Sequence, residues 1–235
     1  MIRKALPSQL ERRSFLTRLS AGVTAFSATF AAGTAEVRAQ SRPIARFQPE
    51  RHEKDDWLDQ LPGKHRMVFD TTKPDGFGEA IAFASNFIRV NQTDYAIPSD
   101  ELAIIIVARS RSTPFAYNDA MWEKYGVPLA ARANFTDPKT KQAPKLNVYK
   151  SADYGDQLPT RGTTLDSLLK QGVHLAVCQV ATRNFAGAIA AAVGGKTDTI
   201  YEELVANIVN NARMVPAGIV AVNRAQERGY SLVTA

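Results

Sequence analysis

The chain has 235 residues, 45% of them apolar, which is enough for one domain with a full core. Its single cysteine, Cys178, excludes an intrachain disulfide. The formal net charge is +6, but residues 1–39 hold six basic side chains against two acidic ones, so the remainder carries only +2 and gives no reason to expect nucleic acid or a membrane surface as partner.

In chain order, the first feature is Glu11-Arg12-Arg13-Ser14-Phe15-Leu16-Thr17, followed by a weakly apolar run over Leu19 to Ala32 and then Val37-Arg38-Ala39. Paired arginines, an aromatic–aliphatic step and a small-residue cleavage site read as a twin-arginine export signal over residues 1–39. The apolar run is shorter than the ~20 residues a membrane-spanning helix needs. We therefore expect cleavage near Ala39, handling by the twin-arginine export machinery, and a periplasmic product with no membrane segment. That route carries folded proteins.

Residues 40–63 are polar and broken by Pro43, Pro49 and Pro62, and read as an N-terminal arm anchored by Trp57 and Leu58. A domain over 64–235 follows. Arg66 to Asp70 is a short strand, and the spacing of Ala80, Ile81, Ala84, Phe87 and Ile88 predicts a helix over 77–92. Leu102 to Val107 is a continuous apolar run, as expected of a strand buried on both faces. A helix is expected from Tyr117 to Lys124, ended by Gly126.

From 127 to 162 the periodicity fails and prolines recur, so this stretch reads as an irregular insertion containing one short strand, Leu146 to Tyr149. Regular structure then resumes. A helix is expected over Thr164 to Gln171, capped by Thr163 with Asp166, and a strand over Val173 to Val177 that delivers Cys178 at its carboxyl end. Helices over 184–193, 199–210 (capped by Thr199 with Glu202) and 216–228 follow. Met214-Val215 and Tyr230 to Val233 are brief strands. Strands that are apolar throughout, alternating with helices, predict an α/β three-layer sandwich with a mainly parallel sheet. In such folds ligands sit beyond the carboxyl ends of the strands.

That rule marks three candidate site walls, the loop after Phe69, the loop after Val107 and Cys178 with the residues following it, and of these Cys178 is the catalytic candidate. A thiol between a strand end and a helix start feels the positive end of the helix dipole, which favours thiolate. The competing reading is a small core hydrophobe. The segment Arg109, Ser110, Arg111, Ser112, Thr113, Pro114 is a candidate anion cradle, with Asn118 beside it and Arg183 available if it folds back toward the thiol. Its bland alternative is a helix cap flanked by solvated arginines. The three histidines have no ligand spacing, so no metal is expected. Gly194-Gly195-Lys196-Thr197 does not follow a strand and is no phosphate loop, so no cofactor is expected either.

Three stretches carry a resemblance to a known family. Gly172-Val173-His174-Leu175-Ala176-Val177-Cys178 followed by a helix resembles the DsrE/DsrF-like family. So do Val215-Pro216-Ala217-Gly218-Ile219-Val220 with Ala225-Gln226-Glu227-Arg228-Gly229-Tyr230, and Ile105-Ile106-Val107 leading to Pro114 through Trp122. The likeness covers about residues 64–235 and is strongest over the last sixty or so. It implies a compact DsrE-like α/β layer assembled as a homo-oligomer, trimer or hexamer. It also implies a strand-end cysteine, here Cys178, that carries sulfane sulfur as a persulfide taken from a small sulfur-containing anion. The turn Gln179 to Asn184 departs from the family by lacking its Gly-rich, Arg-Gly-containing sequence. The alternative is a non-enzymatic small-molecule-binding or oligomeric assembly module in which Cys178 is structural.

Overall fold

Leu102–Ala108 has no exposed residue, and its alternate side chains feed two separate cores, which makes it the central strand of the sheet. A computed structural model describes residues 47–235, and the expected export signal and the first part of the expected arm lie outside the described residues. The sheet holds β1 (His65–Thr71), β2 (Leu102–Ala108), β3 (His174–Cys178), β4 (Ala212–Val215) and β5 (Ser231–Thr234) in the order β4-β3-β2-β1-β5. Every pairing is parallel, so the sheet is fully rather than mainly parallel.

Helices cover both faces. On one lie α2 (Pro74–Tyr95), α3 (Asp119–Ala133), α4 (Leu165–Lys170), α5 (Gln179–Val193) and α6 (Thr197–Ala206), packed with Ile104, Ile106, Leu175 and Val177. On the other lie the single turn α1 (Trp57–Gln60) and α7 (Gly218–Gln226), packed with Ala103, Ile105, Val107 and Ala176. The result is a three-layer α/β sandwich. Trp57 and Leu58 are both buried and anchor the described end of the arm, and Tyr230 Oη fastens it by donating to the Leu58 carbonyl at 2.7 Å.

The chain leaves β3 toward α5 on one face and β4 toward α7 on the other. These strands are neighbours, with Cys178 opposite Val215. Their connections diverge to opposite faces at this point, the switch in winding direction beside which ligands of such sheets sit.

Several boundaries differ from the expected ones for physical reasons. Helix α3 does not stop at Gly126. It runs to Ala133 and ends on Asn134 in the left-handed conformation (φ 54). Pro128 lacks the N–H that would bond Lys124, and the break falls at Tyr125 (φ −125, ψ 16). Nor does a strand form over 146–149. Instead, 3-10 turns cover Val148–Lys150 and Ala152–Gln157, and an aromatic cluster holds the segment down. Phe115 packs against Tyr149 (4.8 Å), Phe135 (5.1 Å) and Trp122 (5.2 Å), while Tyr149 Oη donates to the Pro74 carbonyl at 2.7 Å. The cap of α4 is Thr164, whose hydroxyl accepts the Ser167 N–H, rather than Thr163. Helix α6 begins at Thr197 and ends at Ala206, without a side-chain cap at Thr199.

Candidate functional site

Helix α5 begins at Gln179, five residues earlier than its apolar periodicity suggests, so Cys178 is both the last residue of β3 and the N-cap of α5. Its Sγ accepts the Ala181 N–H at 3.4 Å, taking one of the backbone donors a helix start leaves free. The next turn is braced by Thr182 Oγ1, which donates to the Cys178 carbonyl at 3.0 Å and accepts from Tyr117 Oη at 3.1 Å. Burial raises the Tyr117 phenol well above its ordinary value, so it remains a donor. Cys178 itself is 6% exposed.

Arg109 follows β2. Continuing the β2–β3 register past Ala108 and Val177 sets it beside Cys178. Its guanidinium is held in a fork by Asp70 of β1, Nε to Oδ1 at 2.6 Å and Nη2 to Oδ2 at 2.7 Å. The hydrogen bonds to Asp70 push the Arg109 pKa up against partial burial, and the Asp70 charge adds to the shift. Helix α7 closes on the same arginine: a Cβ placed on Gly218 would lie 2.6 Å from Arg109 Cβ and 3.1 Å from Val107 Cγ1. Only glycine lets α7 approach this closely.

Asp70 was not named from sequence as a site residue, although the stretch after Phe69 was marked as a candidate wall. The available signal was a carboxylate closing an apolar strand, which must find a partner once buried.

The remaining expected site residues divide. Arg111 borders a cleft of about 360 Å³ that is also lined by Ser110, Arg132, Ala181, Asn184 and Phe185. Ala181 is the residue whose N–H reaches Cys178 Sγ, so cleft and thiol share one backbone unit. On its other side Arg111 borders a second cleft of about 410 Å³, together with Lys73 and Asp75 at the start of α2.

Ser112 and Thr113 do not belong to an anion cradle, because both are fully buried and their hydroxyls turn to the backbone. Ser112 Oγ accepts the Arg109 N–H at 3.0 Å and donates to the Thr71 carbonyl at 2.9 Å; Thr113 Oγ1 donates to the Ala108 carbonyl at 3.4 Å. They fasten the loop after β2 to the sheet. Asn118 caps α3 by accepting the Met121 N–H at 3.3 Å and joins Asn207 at 3.1 Å. It borders a different cleft, of about 400 Å³, with Asn210 and Asn211 ahead of β4. Arg183 does not fold back toward the thiol. It pairs with Asp198 at 3.2 Å and stacks over the Tyr201 ring at 4.0 Å.

Among the described residues, no group of three or more His, Cys, Asp or Glu side chains converges as a metal site would, and no helix is long and apolar enough to cross a membrane.

No family model and no curated protein matches the sequence. The chain is similar to a solved structure of a protein of unknown function from Methanobacterium thermoautotrophicum. The two share 16% identity over 73% of this chain and 100% of that one, with a TM-score of 0.37.

Proposed function

We propose that the chain is an exported DsrE-like protein that handles sulfane sulfur, with Cys178 as the acceptor. The observation that carries this reading is the position of Cys178. It stands at the switch in winding, caps the fifteen-residue helix α5, and sits in register beside Arg109. Positive helix ends and a fixed guanidinium suit a sulfur that bears negative charge.

The chemistry requires no oxidant. The Cys178 thiol gives its proton to solvent, and the sulfur attacks the outer sulfur of a donor such as thiosulfate. The donor S–S bond breaks, sulfite leaves with its electron pair, and Cys178 is left as a persulfide. Periplasmic location through the Arg12-Arg13 signal, and assembly as a trimer or hexamer, belong to the same proposal.

A second reading has its own observation. Cys178 is nearly enclosed, whereas Val180 at the start of α5 and Ile219 and Val220 at the start of α7 are 56%, 57% and 41% exposed. Exposed apolar side chains at the starts of both helices, with the thiol shielded, suit an assembly module in which Cys178 is only a cap.

Intact-mass spectrometry of the protein treated with thiosulfate separates the two. A reducible gain of one sulfur atom, absent in Cys178→Ser, supports the sulfur-handling reading. A thiol that stays unmodified and resists alkylation until unfolding overturns it in favour of the module.

A further inference from the structure

Three arginines were expected near the thiol and the structure adds a fourth, Arg132; what already neutralises each of them divides the four. Arg109 is committed to Asp70 and Arg183 to Asp198. Among the described residues, neither Arg111 nor Arg132 has a carboxylate within ion-pair distance; the ion pairs found there all engage other cations. Yet both guanidiniums border the same cleft, whose lining contains no acidic side chain. Arg132 comes from the last turn of α3 and lies over the ring of Phe185 at 5.5 Å, a contact that steadies its long side chain at the cleft wall. Arg111 comes from the loop after β2, where its N–H donates to the Thr72 carbonyl at 3.0 Å. Asn184, one helical turn beyond Val180, adds an amide.

Two arginines without an ion-pair partner thus line one cleft of about 360 Å³, together with the Asn184 amide and the Phe185 ring. We infer that the cleft formed by Arg111, Arg132 and Asn184 is a binding site for a small, doubly charged tetrahedral oxyanion. The guanidinium fork matches two oxygens of such an anion, and the amide can serve a third. Size fits as well, since the cleft admits the anion with room for water. This deepens the proposed function and rests on it only for what happens next: because Ala181 borders the cleft and donates to Cys178 Sγ, an anion held here would lie next to the thiol. Arg132 and Asn184 then replace Ser112, Thr113, Asn118 and Arg183 as anion-binding residues.

Sulfur oxyanions and phosphate share this chemistry, so the test uses thiosulfate, sulfate and inorganic phosphate as separate titrants of the purified full-length chain, followed by calorimetry at low ionic strength. We expect saturable binding that weakens about tenfold in Arg132→Gln and about tenfold in Arg111→Gln, the loss of one charge-assisted contact in each case. Circular dichroism checks that both variants, which alter exposed side chains, remain folded. Cys178→Ser is expected to bind as the parent does while losing any gain of sulfur. Binding by none of the three anions, or binding untouched in both Gln variants, overturns the site. Oxyanion binding that survives in a protein whose Cys178 takes up no sulfur upholds the site and overturns only the persulfide chemistry. Phosphate preferred over both sulfur anions also upholds the site and assigns it to a phosphorylated ligand.

Discussion

Asp70 is 5% exposed and meets Arg109 through two hydrogen bonds, so removing its charge leaves a partly desolvated guanidinium with no partner. Breaking one side of a buried pair costs more than the pair itself contributes. We expect Asp70→Asn to lower stability by about 2–3 kcal/mol, read from urea denaturation. In the Asp70→Asn background, Arg109→Gln should then cost little more, because the two side chains act as one unit. Additive losses in that cycle would show that Arg109 is held by something other than Asp70. At this scale the sequence revealed less than at any other. Cys178, Arg109 and Arg111 could be picked out because they follow apolar runs, and strand ends are legible. Arg132 and Asn184 could not, because they reach the cleft from helices separated by some fifty residues of chain, and nothing in their local spacing marks that meeting. Ser112 and Thr113 misled for the opposite reason: hydroxyls next to arginines look like a cradle until burial turns them inward.

At the scale of elements, close approach decides more than propensity. Helix α7 is seated with Gly218 against Arg109 and Val107, so a methyl group there must push either the helix or the arginine aside. We expect Gly218→Ala to destabilise by about 1–3 kcal/mol in thermal or urea unfolding, despite alanine's better helix propensity. A neutral or stabilising result would mean that α7 can shift outward without loss. The insertion is likewise secured by particular contacts. Tyr149 Oη satisfies the Pro74 carbonyl, and burial pushes the Tyr149 phenol up, so it stays protonated; Tyr149→Phe should cost about 1–3 kcal/mol by leaving that carbonyl without a partner. An unchanged unfolding midpoint would count against this anchor. Strands β1, β2 and β3 were readable because each is an apolar run. The stretch 135–162 was not, since aromatic residues far apart in sequence fix it and no repeating pattern does. Helix α5 started early because a cysteine took the cap that Ser, Thr, Asp or Asn usually supplies.

For the molecule as a whole, one titration falls apart from the others. Burial lowers the pKa of the His174 imidazole below its ordinary value of 6.5, offset in part by a hydrogen bond with the Asn211 backbone. The native state therefore holds the neutral ring more firmly than the unfolded chain does. The stability this brings is complete above pH 6.5 and is lost as the pH falls through the lower native value. Hydrogen bonds from Lys124 and Tyr125 lower the Glu203 pKa. Asp137 is lowered too, by the Lys139 N–H and the Tyr154 hydroxyl acting against desolvation. Stability held by these carboxylates is lost only in more acid solution. Between pH 6.5 and 5, His174→Gln should thus flatten the fall in urea midpoint seen in the parent. Equal slopes in the two proteins would refute the assignment.

The sheet order has a consequence for the timing of synthesis. Strand β1 lies between β2 and β5, so residues 67–70 pair on one side with residues 231–234. At about 5–20 residues per second, the second partner of β1 is made roughly 10–30 s after β1 itself. Throughout that interval one flank of β1 presents open backbone donors and acceptors, a template for pairing with a neighbouring nascent chain. The sheet can close only once β5 has been translated, and until then the ribosome-bound chain depends on whatever covers that flank.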